Sequence, residues 1–126
     1  MSGTIRDFTD LLAWQEGHAL VLETYRLTKA FPKEEVFGLV SQMRRAAVSI
    51  TSNIAEGFGR QGYKEKVQFY YVSQGSLIEL KDQLLIARDI KYLTPSEYAD
   101  ICARADKTHK LLQGLITKSK SFISKS

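Results

Sequence analysis

The stretch Gln42-Met43-Arg44-Arg45-Ala46-Ala47-Val48-Ser49-Ile50-Thr51-Ser52-Asn53-Ile54-Ala55-Glu56-Gly57-Phe58-Gly59-Arg60 decides how this chain folds. With Leu39 just before it, its apolar residues fall at Leu39, Met43, Ala46, Ile50 and Ile54. Steps of three and four place them on one face of a helix, where a strand would alternate. Beside them runs a polar stripe at the same spacing: Gln42, Arg45, Ser49, Asn53 and Glu56. The helix is predicted over residues 33–56. Glu34 and Glu35 stand in its first turn, where the helix dipole favours acids, and Gly57 and Gly59 end it.

Three more helices follow on working outward. Leu11, Trp14, His18, Val21, Tyr25 and Thr28 form one stripe of a helix over 11–29, and Phe31-Pro32 stops it, because a residue before proline avoids helical dihedrals. A helix over 63–91 starts at Gly62, with Glu65 placed as half of a capping box. Its consecutive Phe69, Tyr70, Tyr71 and Val72 make it apolar in several directions, the mark of a helix covered on several sides. At ~43 Å it is long for a domain whose radius of gyration is ~14 Å. Such a helix implies a partner surface, most simply a second copy of the chain. Thr94-Pro95-Ser96-Glu97 is a capping box with proline at the first helical position, and it opens a helix over 95–118. There Tyr98, Ile101, Ala105, Thr108, Leu112 and Leu115 form the stripe. Residues 119–126 read as a flexible basic tail. The expected fold is all-α: an antiparallel up-down-up-down four-helix bundle in a single domain over 1–118, with shallow left-handed crossings.

Composition agrees. The chain has 126 residues, 44% hydrophobic and 25% charged, with two prolines. That excludes disordered, collagen-like and disulfide-scaffold classes. No apolar run approaches the ~20 residues of a membrane span. Met1 to Asp10 holds two acids and no apolar core of a signal peptide, and Cys102 is the single cysteine. A cytoplasmic protein without membrane contact is expected.

The net charge is +4, and it is unevenly spread. Residues 101–126 carry six bases against one acid, and residues 1–100 are one charge negative. A basic C-terminal quarter suits a polyanion such as RNA or DNA. The candidate phosphate contacts are Arg104, Lys107, Lys110, Lys118 and Lys120, with Arg60 and Lys64 as secondary candidates. A merely solvated lysine-rich helix face would give the same pattern.

The polar stripe at Gln42, Arg45, Ser49, Asn53 and Glu56 has a counterpart in Ser76, Glu79 and Gln83, with Gly75 allowing close approach. The expectation is an interhelical network in which Arg45 pairs with Glu79 or Glu56 and fixes register.

The quoted run, together with Trp14-Gln15, Phe31-Pro32 and Gly75-Ser76-Leu77-Ile78-Glu79-Leu80, resembles the signature of the four-helix-bundle proteins called 23S rRNA intervening-sequence proteins. The resemblance covers Leu11 to about Leu112. Thr51 stands where that family often has proline, and Gly62 where a serine cap is common. The resemblance implies a bundle that assembles as a homopentamer. In fold, the family is similar to the accessory variability determinants of diversity-generating retroelements, which bind nucleic acid and a reverse transcriptase. The expected function is therefore a non-enzymatic oligomeric adaptor for RNA or DNA. The alternative is a protein–protein subunit for a partner enzyme or nucleoprotein.

Few residues suggest other chemistry. One cysteine and two distant histidines do not make a metal centre, no Glu-x-x-His pair is present for a di-iron bundle, and no cofactor is expected. Gly57-Phe58-Gly59 reads as a turn. His18 is expected in the core, Cys102 as a small buried hydrophobe, and Trp14 as a core anchor. Arg104-Ala105-Asp106-Lys107-Thr108-His109 resembles the Arg-x4-6-His motif of HEPN ribonucleases, which would make His109 an acid–base and Arg104 a phosphate stabiliser.

Overall fold

The computed structural model describes residues 4–123. The helices are α1 (Leu12–Thr28), α2 (Leu39–Phe58), α3 (Tyr63–Asp89) and α4 (Pro95–Ile123), with 3₁₀ turns at Phe8–Asp10 and Lys33–Glu35. No strand occurs among the described residues. Helices α1 and α3 each pack on both α2 and α4, with no diagonal contact, so the bundle is a four-cornered square around one core. Leu20, Met43, Ile50, Ile54, Leu77, Leu80, Leu84, Ile101 and Leu112 are fully buried in it. Each such side chain contributes about 1.5–3 kcal/mol.

The predicted core faces of α2 and α4 hold: Met43, Ala46, Ile50 and Ile54 are buried, as are Ile101, Ala105, Thr108 and Leu112. The face of α1 is turned by one position. Its interior residues are Ala13, Gly17, Leu20, Thr24, Leu27 and Thr28. Trp14 flanks the core as an anchor, whereas His18 is exposed and stacks on Trp14 with ring centroids 4.7 Å apart. Small residues face inward because α1 lies close to α2: a Cβ on Gly17 would sit 3.1 Å from Thr51 Cγ2. The Thr24 hydroxyl donates to Leu20 O at 2.8 Å and Thr28 to Thr24 O at 2.7 Å, so both buried hydroxyls are satisfied within the helix, and Thr28 also accepts from Arg44 Nε of α2 at 3.0 Å.

Several boundaries also differ. Helix α2 runs on through Gly57 to Phe58, so these two residues are helical where a turn was expected. Helix α2 starts at Leu39, not Lys33, after the 3₁₀ turn and a short joint. Glu35 still serves the helix start, accepting from Leu39 N–H at 3.2 Å. Its other oxygen accepts the Tyr92 hydroxyl at 2.9 Å, tying the α1–α2 joint to the α3–α4 joint. Helix α4 continues through 119–123 where a tail was expected. Ser119 is buried, and Phe122 packs on Tyr63 with centroids 4.8 Å apart. Residues 124–126 of that tail, and 1–3 of the domain, lie outside the described residues. Helix α3 ends at Asp89, and Lys91 takes φ of +68° so that Tyr92 N–H can reach Ala87 O at 2.9 Å.

Between α2 and α3 the polar stripes do meet, though not as expected. Ser49 and Ser76 share a hydrogen bond of 2.8 Å, and the Ser73 hydroxyl donates to Ile50 O at 2.7 Å. Asn53 donates to Ser49 O at 2.8 Å and to its hydroxyl at 3.0 Å. Arg45 pairs with neither Glu79 nor Glu56. It and Gln42 are exposed, so water satisfies the Arg45 guanidinium. Glu56 pairs with Arg60 at 2.9 Å, and Glu79 accepts from Gln83 at 3.4 Å. Gly75 is exposed, and a Cβ there would meet nothing within 4 Å. The close approach is at Gly57, where a Cβ would lie 2.7 Å from Tyr70 Cε1 and 3.0 Å from Lys66 O. Burial, and then the neighbouring Tyr63, push the Tyr70 phenol up to about 12.

Candidate nucleic-acid interface

The capping box sets the phase of α4. The Glu97 N–H donates to Thr94 Oγ1 at 3.1 Å and the Thr94 N–H to Glu97 Oε1 at 2.9 Å. From there the helical repeat of 3.6 residues distributes the basic side chains to three surroundings.

Arg104 turns towards α1. Its Nε donates to Glu23 at 2.9 Å and its Nη1 to Glu16 at 3.0 Å. This candidate phosphate contact is committed to two half-buried acids. Lys107 lies 3.6 Å from Glu16, but its side chain is two-thirds exposed.

His109 turns towards α3. Lys81 Nζ lies 2.9 Å from His109 Nδ1 and 3.0 Å from Asp106 Oδ1. The Gln74 amide faces Nε2 at 3.4 Å. Desolvation, and then the Lys81 charge, lower the His109 pKa, while Asp106 raises it. Arg104 and His109 thus serve different helices and do not meet. The arginine–histidine arrangement of the ribonuclease motif is not built. Lys107, Lys110 and Gln113 line the same α3–α4 groove as Lys81 and His109. Lys81 was invisible to sequence reasoning, since only the α3–α4 register brings it to His109.

The remaining candidates gather at the end of the bundle where α2 turns into α3. Arg60 pairs with Glu56 and lies over the Phe69 ring at 4.6 Å. Lys64 is exposed. Lys118 borders a cleft shared with Tyr63, Tyr70 and Phe122, and Lys120 Nζ donates to the Tyr71 hydroxyl at 3.2 Å. Beneath them the Lys66 ammonium donates to Phe58 O, and burial lowers its pKa. Among the described residues, Lys64, Lys110 and Lys118 carry no ion pair. Cys102 is half-buried. No group of three or more His, Cys, Asp or Glu side chains among the described residues converges as a metal site would require. No helix among them is long and apolar enough to cross a membrane.

The fold is an all-α bundle with a polar α2–α3 seam and a lysine-bearing last helix. The chain belongs to the 23S rRNA-intervening sequence protein family, whose model matches residues 9–114. No match was found among curated proteins. Among solved structures, the fold is similar to a protein with unknown function from the S23 ribosomal protein family of Bacteroides thetaiotaomicron VPI-5482. The two superpose with a TM-score of 0.78 at 20% identity, over 84% of this chain and 96% of that one.

Proposed function

We propose that this chain is a non-enzymatic, self-assembling adaptor of the cytoplasm that binds RNA or DNA through sequence-tolerant phosphate contacts. The observation that carries the reading is the set of exposed lysines on α4. Lys107, Lys110, Lys118 and Lys120 all reach solvent, and Lys110 and Lys118 carry no ion pair among the described residues. Such charges release counterions from a nucleic-acid backbone and give binding that weakens steeply with salt.

Self-assembly rests on α3. Its outer face shows Tyr71, Val72, Ile78, Leu85, Ile86 and Ile90, each two-fifths or more exposed. They recur with the near-heptad spacing of a helix–helix seam, and Gly75 sits among them with open space before it. A homo-oligomer, the pentamer that the family resemblance implies, would cover this face. It would also multiply weak phosphate contacts by its copy number.

The rival reading, a subunit held against a protein partner, is favoured by Phe37, which is 96% exposed beside Val36 and Val48.

The test is light scattering after size exclusion, with labelled RNA and DNA then titrated into the same fractions at low and moderate salt. The expected result is an oligomer whose binding is salt-sensitive and is weakened by Lys107→Glu with Lys110→Glu. An oligomer that ignores both nucleic acids at low salt overturns the nucleic-acid reading and leaves the protein partner.

A further inference from the structure

The α3–α4 groove holds a charge arrangement that the helical stripe of lysines does not explain. Lys81 comes from α3, a helix whose other exposed charges in this stretch are acidic: Glu79 and Asp82. Its ammonium spans two acceptors at once, His109 Nδ1 at 2.9 Å and Asp106 Oδ1 at 3.0 Å. Because an ammonium only donates, Nδ1 accepts, and the neutral ring keeps its proton on Nε2. Lys107 and Lys110 stand on the same groove wall. Against these three ammonium groups stand two carboxylates, Asp106 beside Lys81 and Glu16 of α1 beside Lys107.

We propose that this groove is a phosphodiester site in which Lys81, Lys107 and Lys110 hold a nucleic-acid phosphate, and that His109 makes the grip proton-dependent. The proposal rests on the nucleic-acid reading above and assigns it a site and a switch. When His109 takes a proton on Nδ1, Lys81 loses one of its two acceptors, keeps Asp106, and faces a like charge. An anion seated between the two satisfies both, as a donor-rich pair binds phosphate. The charged groups around His109 are Lys81 from α3 and, from α4, Asp106 and Lys110, while Lys107 lines the groove with its ammonium turned to Glu16 of α1. Burial and Lys81 already hold the free ring neutral. By linkage, a ligand that favours the charged ring must bind more tightly as the pH falls. Each unit by which the ligand raises the ring's pKa corresponds to about a tenfold gain in affinity.

The experiment follows the anisotropy of a labelled single-stranded oligonucleotide at low salt, at about pH 7.5 and about pH 5.5, on either side of the usual histidine pKa. It is joined to NMR titration of the His109 ring with and without the oligonucleotide. The expected results are binding that tightens about tenfold on acidification and a His109 titration moved to higher pH by the oligonucleotide. His109→Gln should flatten the pH response while His18→Gln keeps it, and Lys81→Met should weaken binding at both pH values. Binding that leaves the His109 titration unmoved, with a pH response that survives His109→Gln, overturns this site and leaves the adaptor reading standing. Absence of binding at low salt overturns both. A ring that responds to inorganic phosphate and not to the oligonucleotide assigns the groove to free phosphate and overturns the nucleic-acid site.

Discussion

The guanidinium of Arg104 bridges Glu16 and Glu23, two turns apart on α1, at 3.0 and 2.9 Å. The bridge joins the first helix to the last and aligns their register. Glu23 and Glu16 are 14% and 19% exposed, so removing the arginine leaves two half-buried carboxylates with only the longer 3.6 Å contacts to Arg26 and Lys107. Arg104→Met should cost about 1–2 kcal/mol, above the usual value of an exposed pair because two acids share the cation. Denaturant melting measures the loss. The same change should weaken nucleic-acid binding less than Lys110→Glu, because Arg104 already serves two internal acids.

Two glycines should respond in opposite ways. Gly57→Ala drives a methyl group into Tyr70 and the Lys66 carbonyl, an overpacking that typically costs about 1–3 kcal/mol. Gly75→Ala meets open space within the protomer, and replacing an interior helical glycine gains about 0.5–1 kcal/mol. Thermal melts of the two variants should move apart in sign. A Gly75→Ala variant that loses mass in light scattering would show that a second chain approaches there.

Lys91 ends α3 in the left-handed region at φ of +68°. The Cβ of an L-residue makes that conformation costly by about 1–2 kcal/mol. Lys91→Gly should raise stability by up to about 1 kcal/mol, since glycine adopts the angle freely but loses more entropy on folding. Chemical denaturation reads the gain, and an unchanged midpoint would mean that the lysine is not strained there.

The two acceptors of Lys81 make stability depend on pH with a definite sign. The folded state holds the His109 pKa below its ordinary value, through burial first and Lys81 second. The unfolded chain therefore binds a proton more readily, and stability rises with pH across this range. The contribution is complete above the unfolded pKa near 6.5 and is lost as the pH falls through the folded value. Melting temperatures of the wild type should drop more between about pH 7.5 and about pH 5.5 than those of His109→Gln. Equal drops would mean that the ring titrates as if in water.

The legibility of this fold varied from helix to helix for a physical reason. In α2 the core residues are also the apolar ones, so Met43, Ala46, Ile50 and Ile54 announced their own face. In α1 they are not. Gly17 and Thr24 face inward because α2 lies close by and because a threonine hydroxyl can bond within its own helix. Trp14 and Tyr25 look like core, but Trp14 borders it and Tyr25 is exposed. The serines at 49 and 76 were placed on facing stripes by spacing alone, whereas Arg45 was drawn inward by its position between buried neighbours, although its charge is served by water. The candidate interface was half legible. The lysines of α4 are visible in any reading of charge. The Lys81–His109 contact joins residues 28 positions apart, and it exists only once two long helices settle into register.

Trp14 is the chain's single tryptophan, and it sits face to face with the exposed ring of His18 at an interplanar angle of 13°. The molecule thus carries an optical probe of its own. The emission of Trp14 therefore reports on the packing of the first helix, while His109, on another helix, stays dark to it. Undocking of α1 would expose the same indole to water. The colour and intensity of the native fluorescence therefore follow the docking of the first helix, with no label attached.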